Sequence, residues 1–378
     1  MPDLLKDFWS KLGFSSCTVA FLLCGMSIQM AQADEKPSTL AIKDTSKSAE
    51  HGVGIKTGSF IMAPIPIQSP SIGTGLALVG SYLFKFDKKS DESYIGAAGF
   101  ATDNGSNGYG LIGSFSWNEN QWKVSAMAGN VDVVYDFYIP NSGGRTVSLE
   151  QNGKLLNLEG SYGLTEHFHL GLDIRYLETE IQFATPILPP GKDRFLEIIS
   201  FGPTLNWDYR DDAIYPTSGF NVGIDSLHSI VLNGADREYH KTVLKYDNYF
   251  SIFERSVIAT RFAACQASDS TPFFELCSIG GTDNFRGFPF GELLDQNLLS
   301  GQIEFRGRMG KRFGYVAFAG IGGVAPDFGA LNSDTISSAG GVGLRYRLSK
   351  KTPLDFAFDV AVNSNGETTS YITIGQRF

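Results

Sequence analysis

Positive charge is in short supply in this chain. Against 40 acidic residues stand 31 Lys and Arg, for a net charge of −9. Phosphate binding needs a basic footprint, so a nucleic-acid partner is excluded. Cysteine is scarce: Cys17, Cys24, Cys265 and Cys277, with no metal-site spacing among them. Histidine numbers five. His167 and His169 share a strand face but have no third ligand near them in sequence, so they read as a surface or lumen pair. Asp208, Asp211 and Asp212 lack the order of an EF-hand loop and read as turn caps or salt bridges. No Gly-Lys-Ser/Thr follows Gly280-Gly281, which removes the phosphate-loop reading. A Gly-x-Ser-x-Gly elbow is missing too, and His228 and His240 alone do not make a hydrolase. The chain therefore reads as a non-enzyme with no cofactor. No amphipathic helix of ordinary length is visible beyond the N-terminal segment.

Glycine, at 43, and aromatics, at 13%, are abundant while charged residues reach only 19%. The N-terminus opens with Lys6 and Lys11, continues as an apolar stretch from Phe14 to Met30, and ends in Ala31-Gln32-Ala33. That order is an export signal with a small-x-small cleavage site, and cleavage is expected before Asp34. A membrane anchor is the alternative, but the run is short for a span of about 20 residues. The expected organisation is a cleaved signal over 1–33, a polar periplasmic lead-in over 34–51 and one domain over 52–378. Cys17 and Cys24 leave with the signal. Cys265 and Cys277 remain, and in an exported chain two such cysteines can pair.

From about Gly52 onward the sequence alternates. Leu170, Leu172, Ile174 and Tyr176 oppose His169, Gly171, Asp173 and Arg175. Val342, Leu344 and Tyr346 oppose Gly343, Arg345 and Arg347. Period two means a strand with different surroundings on its two faces. A soluble sandwich alternates as well, but here many runs exceed the five or six residues usual for soluble strands. One face carries charges of both signs, and the other carries Tyr and Phe near the strand ends. The expected fold is all-β: a transmembrane antiparallel barrel of about sixteen strands, with both termini in the periplasm.

One break is long. Between about Ser268 and Asn297 no strand is legible, where neighbouring strands usually need two to five residues. The segment is rich in phenylalanine, with Phe273, Phe274, Phe285, Phe288 and Phe290, so its composition is wrong for disorder. Its tip holds one cation, Arg286, beside Gly287. Two readings stand: a loop folded into the lumen with Arg286 held by carboxylates, or a surface loop with a chance arginine.

Several stretches resemble the BamA/TamA-type bacterial surface antigen barrels. Asp208-Tyr209-Arg210-Asp211-Asp212, leading into Tyr215-Pro216-Thr217-Ser218-Gly219, is similar to that family's strand–turn signature. Gly280-Gly281 followed by Phe285-Arg286-Gly287-Phe288 resembles its inward loop. Glu304 matches the acidic position on the next strand. The last eight residues, including Ile372, Ile374, Gly375 and Phe378, resemble a terminal targeting strand. The chain departs from the family twice. There is no room before the barrel for a periplasmic POTRA domain, which points to the POTRA-less branch. Gly320 stands where the family usually has an Asp, so Glu304, Asp355 and Asp359 are the candidate partners of Arg286.

The resemblance implies a Gram-negative outer-membrane barrel inserted by the general barrel-assembly machinery. It implies contact with outer-membrane lipid, and unfolded outer-membrane proteins or lipids as clients handled at a seam between the first and last strands. Glycines near that seam, Gly52, Gly54, Gly58 and Gly375, make it poorly packed. The alternatives are a partly plugged passive pore for small solutes or ions, and a structural barrel, dimeric through its first strands.

Overall fold

The computed structural model describes residues 54–138, 146–183, 195–348 and 355–376. The expected signal with its Ala33 site, the lead-in over 34–51 and the terminal Phe378 lie outside the described residues. A short 3-10 turn at Ile55–Thr57 precedes the first strand, which starts at Ser59, several residues later than alternation alone suggests. Gly54, at φ +116°, breaks the extended backbone there.

The strands are β1 Ser59–Ser69, β2 Gly73–Phe84, β3 Ser93–Thr102, β4 Asn107–Trp117, β5 Trp122–Tyr138, β6 Thr146–Gly163, β7 Phe168–Phe183, β8 Phe195–Asp208, β9 Gly219–Asn233, β10 Glu238–Phe253 and β11 Ser256–Ala267. Two short pieces follow, β12 Cys277–Ser278 and β13 Leu294–Asp295. Then come β14 Asn297–Met309, β15 Phe313–Ala325, β16 Ile336–Arg347, β17 Asp355–Asn363 and β18 Thr368–Ile374. All except β12 and β13 join one closed antiparallel barrel of sixteen strands, each beside its neighbour in sequence. Closure gives every strand two partners, as a hydrocarbon surrounding requires. β12 and β13 pair only with each other, inside the long β11–β14 connection.

The alternation sorts the chemistry inside out. Leu170, Leu172 and Ile174 of β7 are exposed, while His169 and Asp173, on the opposite face, are buried. Buried charge continues around the wall at Asp247, Arg261, Glu304, Arg306, Arg345, Asp355 and Asp359. Outward positions carry Leu76, Leu78, Leu111, Ile303, Val342 and Leu344, all exposed. An apolar exterior around a charged interior is a wall solvated by lipid. At one end of the barrel the outward rings form a belt. Trp117 stacks on Trp122, whose ring meets Tyr162 at 4.8 Å, and Trp207, Tyr209 and Phe220 form a second group. Such belts sit at membrane–water boundaries.

Pairing is uneven. β1 registers with β2 along its whole length, Ser59–Leu83 to Ser69–Gly73. With β18 it registers at one residue pair, Gln68 with Ile372.

Candidate functional site

The connection from 268 to 296 is built before it reaches its partners. A disulfide joins Cys265, near the end of β11, to Cys277 at the start of β12, with Cα atoms 5.8 Å apart. It fixes the loop's root to the wall. Beyond it the backbone reverses at Gly280, φ +82°. There Asp283 Oδ1 accepts from the amides of Gly280 at 2.9 Å and Phe285 at 3.1 Å. Asp283 is fully buried, and these local bonds serve one oxygen of a carboxylate that is costly to bury. Gly281 faces the ring of Phe290, and a Cβ there would lie 2.6 Å from it. Phe285, Phe288 and Ile279 pack with Ala263, Cys265, Leu298 and Ala339. Replacing Cys265 and Cys277 with serine is expected to lower barrel stability by about 2–3 kcal/mol, the value for a short closed loop. Urea unfolding in detergent checks this; an unchanged midpoint would remove the disulfide from the loop's support.

The turn aims Arg286 at the inner face. Its side chain is 1% exposed. Nη2 donates to Glu304 of β14, and Nη1 donates to Asp359 of β17 at 2.8 Å. The guanidinium carbon lies over the ring of Phe318 of β15, 3.5 Å from its centre. Neither carboxylate serves Arg286 alone. Glu304 also accepts from Arg306 Nε at 2.7 Å, and Asp359 also accepts from Arg345. The result is a row of alternating charge, Arg306–Glu304–Arg286–Asp359–Arg345. A planar fork suits this arrangement, because it can serve two carboxylates on different strands at once.

Gly287 follows at φ +120°. Its amide donates to the Tyr371 hydroxyl on β18 at 2.8 Å, and its carbonyl accepts from Asn363 Nδ2 on β17 at 3.1 Å. A Cβ there would stand 2.5 Å from the Cβ of Ala339 on β16. Beyond the tip the loop crosses to other strands. The Phe290 amide donates to Ser71 Oγ in the β1–β2 turn at 2.8 Å, and its ring meets Tyr135 of β5. Glu292 accepts from Asn365 in the β17–β18 turn at 2.9 Å. Burial, then the nearby Glu367 carboxylate, push the Glu292 pKa up to about 7.

Asp355 was a candidate partner of Arg286, and the structure puts it elsewhere. It accepts from Arg308, from Arg347 Nε at 2.7 Å and from Gln376 Nε2 at 2.8 Å. Gly320 also has a physical reason. A Cβ there would come 2.6 Å from the ring of Phe285, so the aromatic that precedes Arg286 occupies the space over it. The pairing to Asp359 supplies the second carboxylate from a different strand.

The strand–turn motif lies between β8 and β9. Arg210 forks onto Asp208, with Nε to Oδ1 at 2.9 Å and Nη2 to Oδ2 at 2.6 Å. Asp211 accepts from the amides of Thr217 at 2.8 Å and Ser218 at 3.1 Å. Burial works to raise the Asp211 pKa, but the Thr217 hydroxyl and these amides hold it below the ordinary carboxylate value. Asp212 accepts from the amides of Ile214 and Tyr215, both at 2.7 Å. Pro216 carries the turn toward Gly219, whose φ of +94° and contact with the Tyr209 carbonyl leave no place for a side chain. These bonds aim Tyr215 inward, against Arg308 at 4.6 Å, Arg347 at 5.2 Å and Arg306 at 6.0 Å. His167 and His169 turn to different partners, the carbonyls of Asp208 and Asn120. In β18, Ile372 and Ile374 are half-buried on the outward face, and Gly375 turns at φ +97°.

A closed sixteen-stranded barrel, apolar outside and charged within, is an outer-membrane class of protein. Residues 88–378 match the Omp85 superfamily domain, and the chain belongs to that superfamily. Three solved structures share the fold. BamA from Haemophilus ducreyi lacking POTRA domains 1–3 superposes with a TM-score of 0.57 at 15% identity, over 84% of this chain and 70% of that one. CdiB from Acinetobacter baumannii gives 0.57 at 11%, over 84% and 59%. CdiB from Escherichia coli gives 0.56 at 14%, over 83% and 62%. A search of curated proteins finds no match.

Proposed function

We propose that this chain is an assembly or translocation barrel of the outer membrane that handles extended polypeptide or lipid at the seam between β1 and β18. On this reading the 268–296 loop lies in the lumen as a plug, with Arg286, Glu304 and Asp359 holding it. The observation that carries it is the pairing: β1 is registered to β2 throughout, yet to β18 only at Gln68 and Ile372. A seam with so little ladder opens at less cost than any other in the barrel, and an opened edge offers backbone groups to an incoming strand. The likeness to BamA and CdiB supports the fold of such a machine. The outer-membrane lipid around the seam, an unfolded outer-membrane protein as client and a second copy of the chain are the partners this reading allows. Export through a signal cleaved near Ala33 belongs to the same proposal.

The test is a folding assay. A urea-denatured outer-membrane barrel is added to liposomes that hold this protein, to empty liposomes, and to liposomes that hold an unrelated closed barrel. Faster folding is expected only with this protein. The double variant Gln68→Cys/Ile372→Cys, oxidised to lock the seam, is expected to lose the acceleration and to regain it on reduction. Wild type treated with the same reductant controls for the Cys265–Cys277 bond. Undiminished acceleration with a locked seam sinks the seam mechanism. No acceleration, together with a steady wild-type ion current, favours the passive pore instead.

A further inference from the structure

We infer that the seam is one-sided: an incoming polypeptide strand pairs along β18, and Pro64 and Pro66 bar β1 from templating it. This rests on the reading that the seam is the working edge. Both prolines lie within β1, and the register with β2 runs through them without a break, Pro64 to Leu78 and Pro66 to Leu76. In an antiparallel pair, alternate residues direct their amide and carbonyl to one neighbour, and the residues between them face the other. A proline nitrogen aimed at β2 would interrupt that ladder. The ladder is uninterrupted, so both nitrogens face the β18 side. They also share parity with Gln68, the residue of β1 that registers with Ile372.

The row of seam-facing donors on β1 therefore has a gap. Between Met62 and Gln68 neither seam-facing position has an N–H to give, a stretch of about 20 Å at strand rise. Proline within a sheet is confined to such edges, where it blocks further pairing. β18 is built differently. Thr368–Ile374 contains no proline, and it pairs to β17 from Val362–Thr368 to Phe356–Ile374 without a shift. By parity with Ile372, the backbone groups of Thr368, Ser370, Ile372 and Ile374 face the seam. One side-chain bond staples the end of the seam beside the β1–β2 turn, Gln68 Nε2 to Ser370 Oγ at 2.7 Å. From that staple onward, Pro66 stands opposite Ile374, the last residue of β18, and Pro64 lies beyond it, so β1 gives no N–H where β18 still offers backbone groups.

The partner this edge fits is an extended segment running antiparallel to β18. Its outward residues would lie beside Ile372 and Ile374, so they are apolar. Its inward residues would lie beside Thr369 and Tyr371, both buried, so they are small. β1 would then act as a wall that yields.

The experiment traps the client during folding in liposomes. The client carries single cysteines along its last strand. This protein carries one extra cysteine on an outward position, Ser370→Cys on β18 or Met62→Cys on β1. Oxidation is expected to give about tenfold more cross-linked product through β18 than through β1, the ratio for 1.4 kcal/mol of lost pairing. In a Pro64→Val/Pro66→Val background the β1 product is expected to rise toward the β18 level. Accelerated folding with cross-links favouring β1, or equal at both edges, overturns the inference and leaves the proposed function standing. Accelerated folding with no cross-link at either edge overturns it as well. Absence of acceleration removes the proposed function, and the inference falls with it.

Discussion

Arg286→Ala is expected to lower barrel stability by about 3–5 kcal/mol and to release the loop from the inner face. The guanidinium is 1% exposed and sits between two carboxylates that are also buried, Glu304 at 0% and Asp359 at 1%. Removing it leaves two anions in a dry site. The cost is moderated because Glu304 keeps Arg306 and Asp359 keeps Arg345. The stacking on Phe318 disappears as well, which adds about 1–2 kcal/mol for a desolvated cation–π contact. Arg286→Lys should fall between wild type and alanine, since an ammonium carries the charge but cannot span two strands with one planar fork. The readouts are urea unfolding in detergent, protease cleavage within 268–296, and single-channel conductance in planar bilayers. Wild type should conduct poorly, and Arg286→Ala should conduct more and be cut faster. A variant as resistant and as closed as wild type would show that the aromatic packing and the disulfide hold the loop without the ion pairs.

Much of this is legible in the residues themselves. Alternation from Gly52 onward gave the strand count, because a barrel in lipid cannot hide its period: every outward residue meets hydrocarbon. Face was legible for the same reason, so Glu304, Asp355 and Asp359 were all recognisable as inward carboxylates. Height was not. Asp355 and Asp359 share a face of β17 but lie four residues apart, about 13 Å along the strand. Only the register between strands shows that Arg286 reaches the one, while Arg308 and Arg347 take the other. Phe318, Asn363 and Tyr371 are not recognisable from sequence as partners of the loop tip for a related reason. They are ordinary inward residues on three strands, and the loop's path brings them together. In sequence Tyr215 is part of a turn signature, and its ring facing three arginines depends on how Asp211 and Asp212 wind that turn. Gly320 looked like a lost carboxylate because sequence shows identity at a position and not the ring that fills the space above it.

The second large effect is expected at Gly287, where a single methyl group should do nearly as much damage as losing the arginine. Two separate costs meet there. The backbone sits at φ +120°, outside the range of an L side chain, worth about 1–3 kcal/mol. The added Cβ would stand 2.5 Å from the Cβ of Ala339, and that contact with the β16 wall adds about 1–3 kcal/mol of overpacking. Relief by moving the loop away would stretch the bonds to Tyr371 and Asn363 and lift Arg286 off its carboxylates. Gly287→Ala is therefore expected to destabilise by about 2–6 kcal/mol as a sum of these terms, and to raise proteolysis of 268–296. The two costs can be separated. Ala339→Gly removes the opposing methyl, and the next side chain, Asn363, is 3.7 Å from the same point. The double variant Gly287→Ala/Ala339→Gly should recover the packing share and keep the backbone share, leaving a favourable coupling of about 1–3 kcal/mol between the two sites. Zero coupling would mean that the loop tip already stands off β16. Full recovery would mean that the left-handed backbone at Gly287 costs nothing. Partial recovery is the outcome that requires both a close approach and a strained turn, and those two features are what direct Arg286 at Glu304 and Asp359.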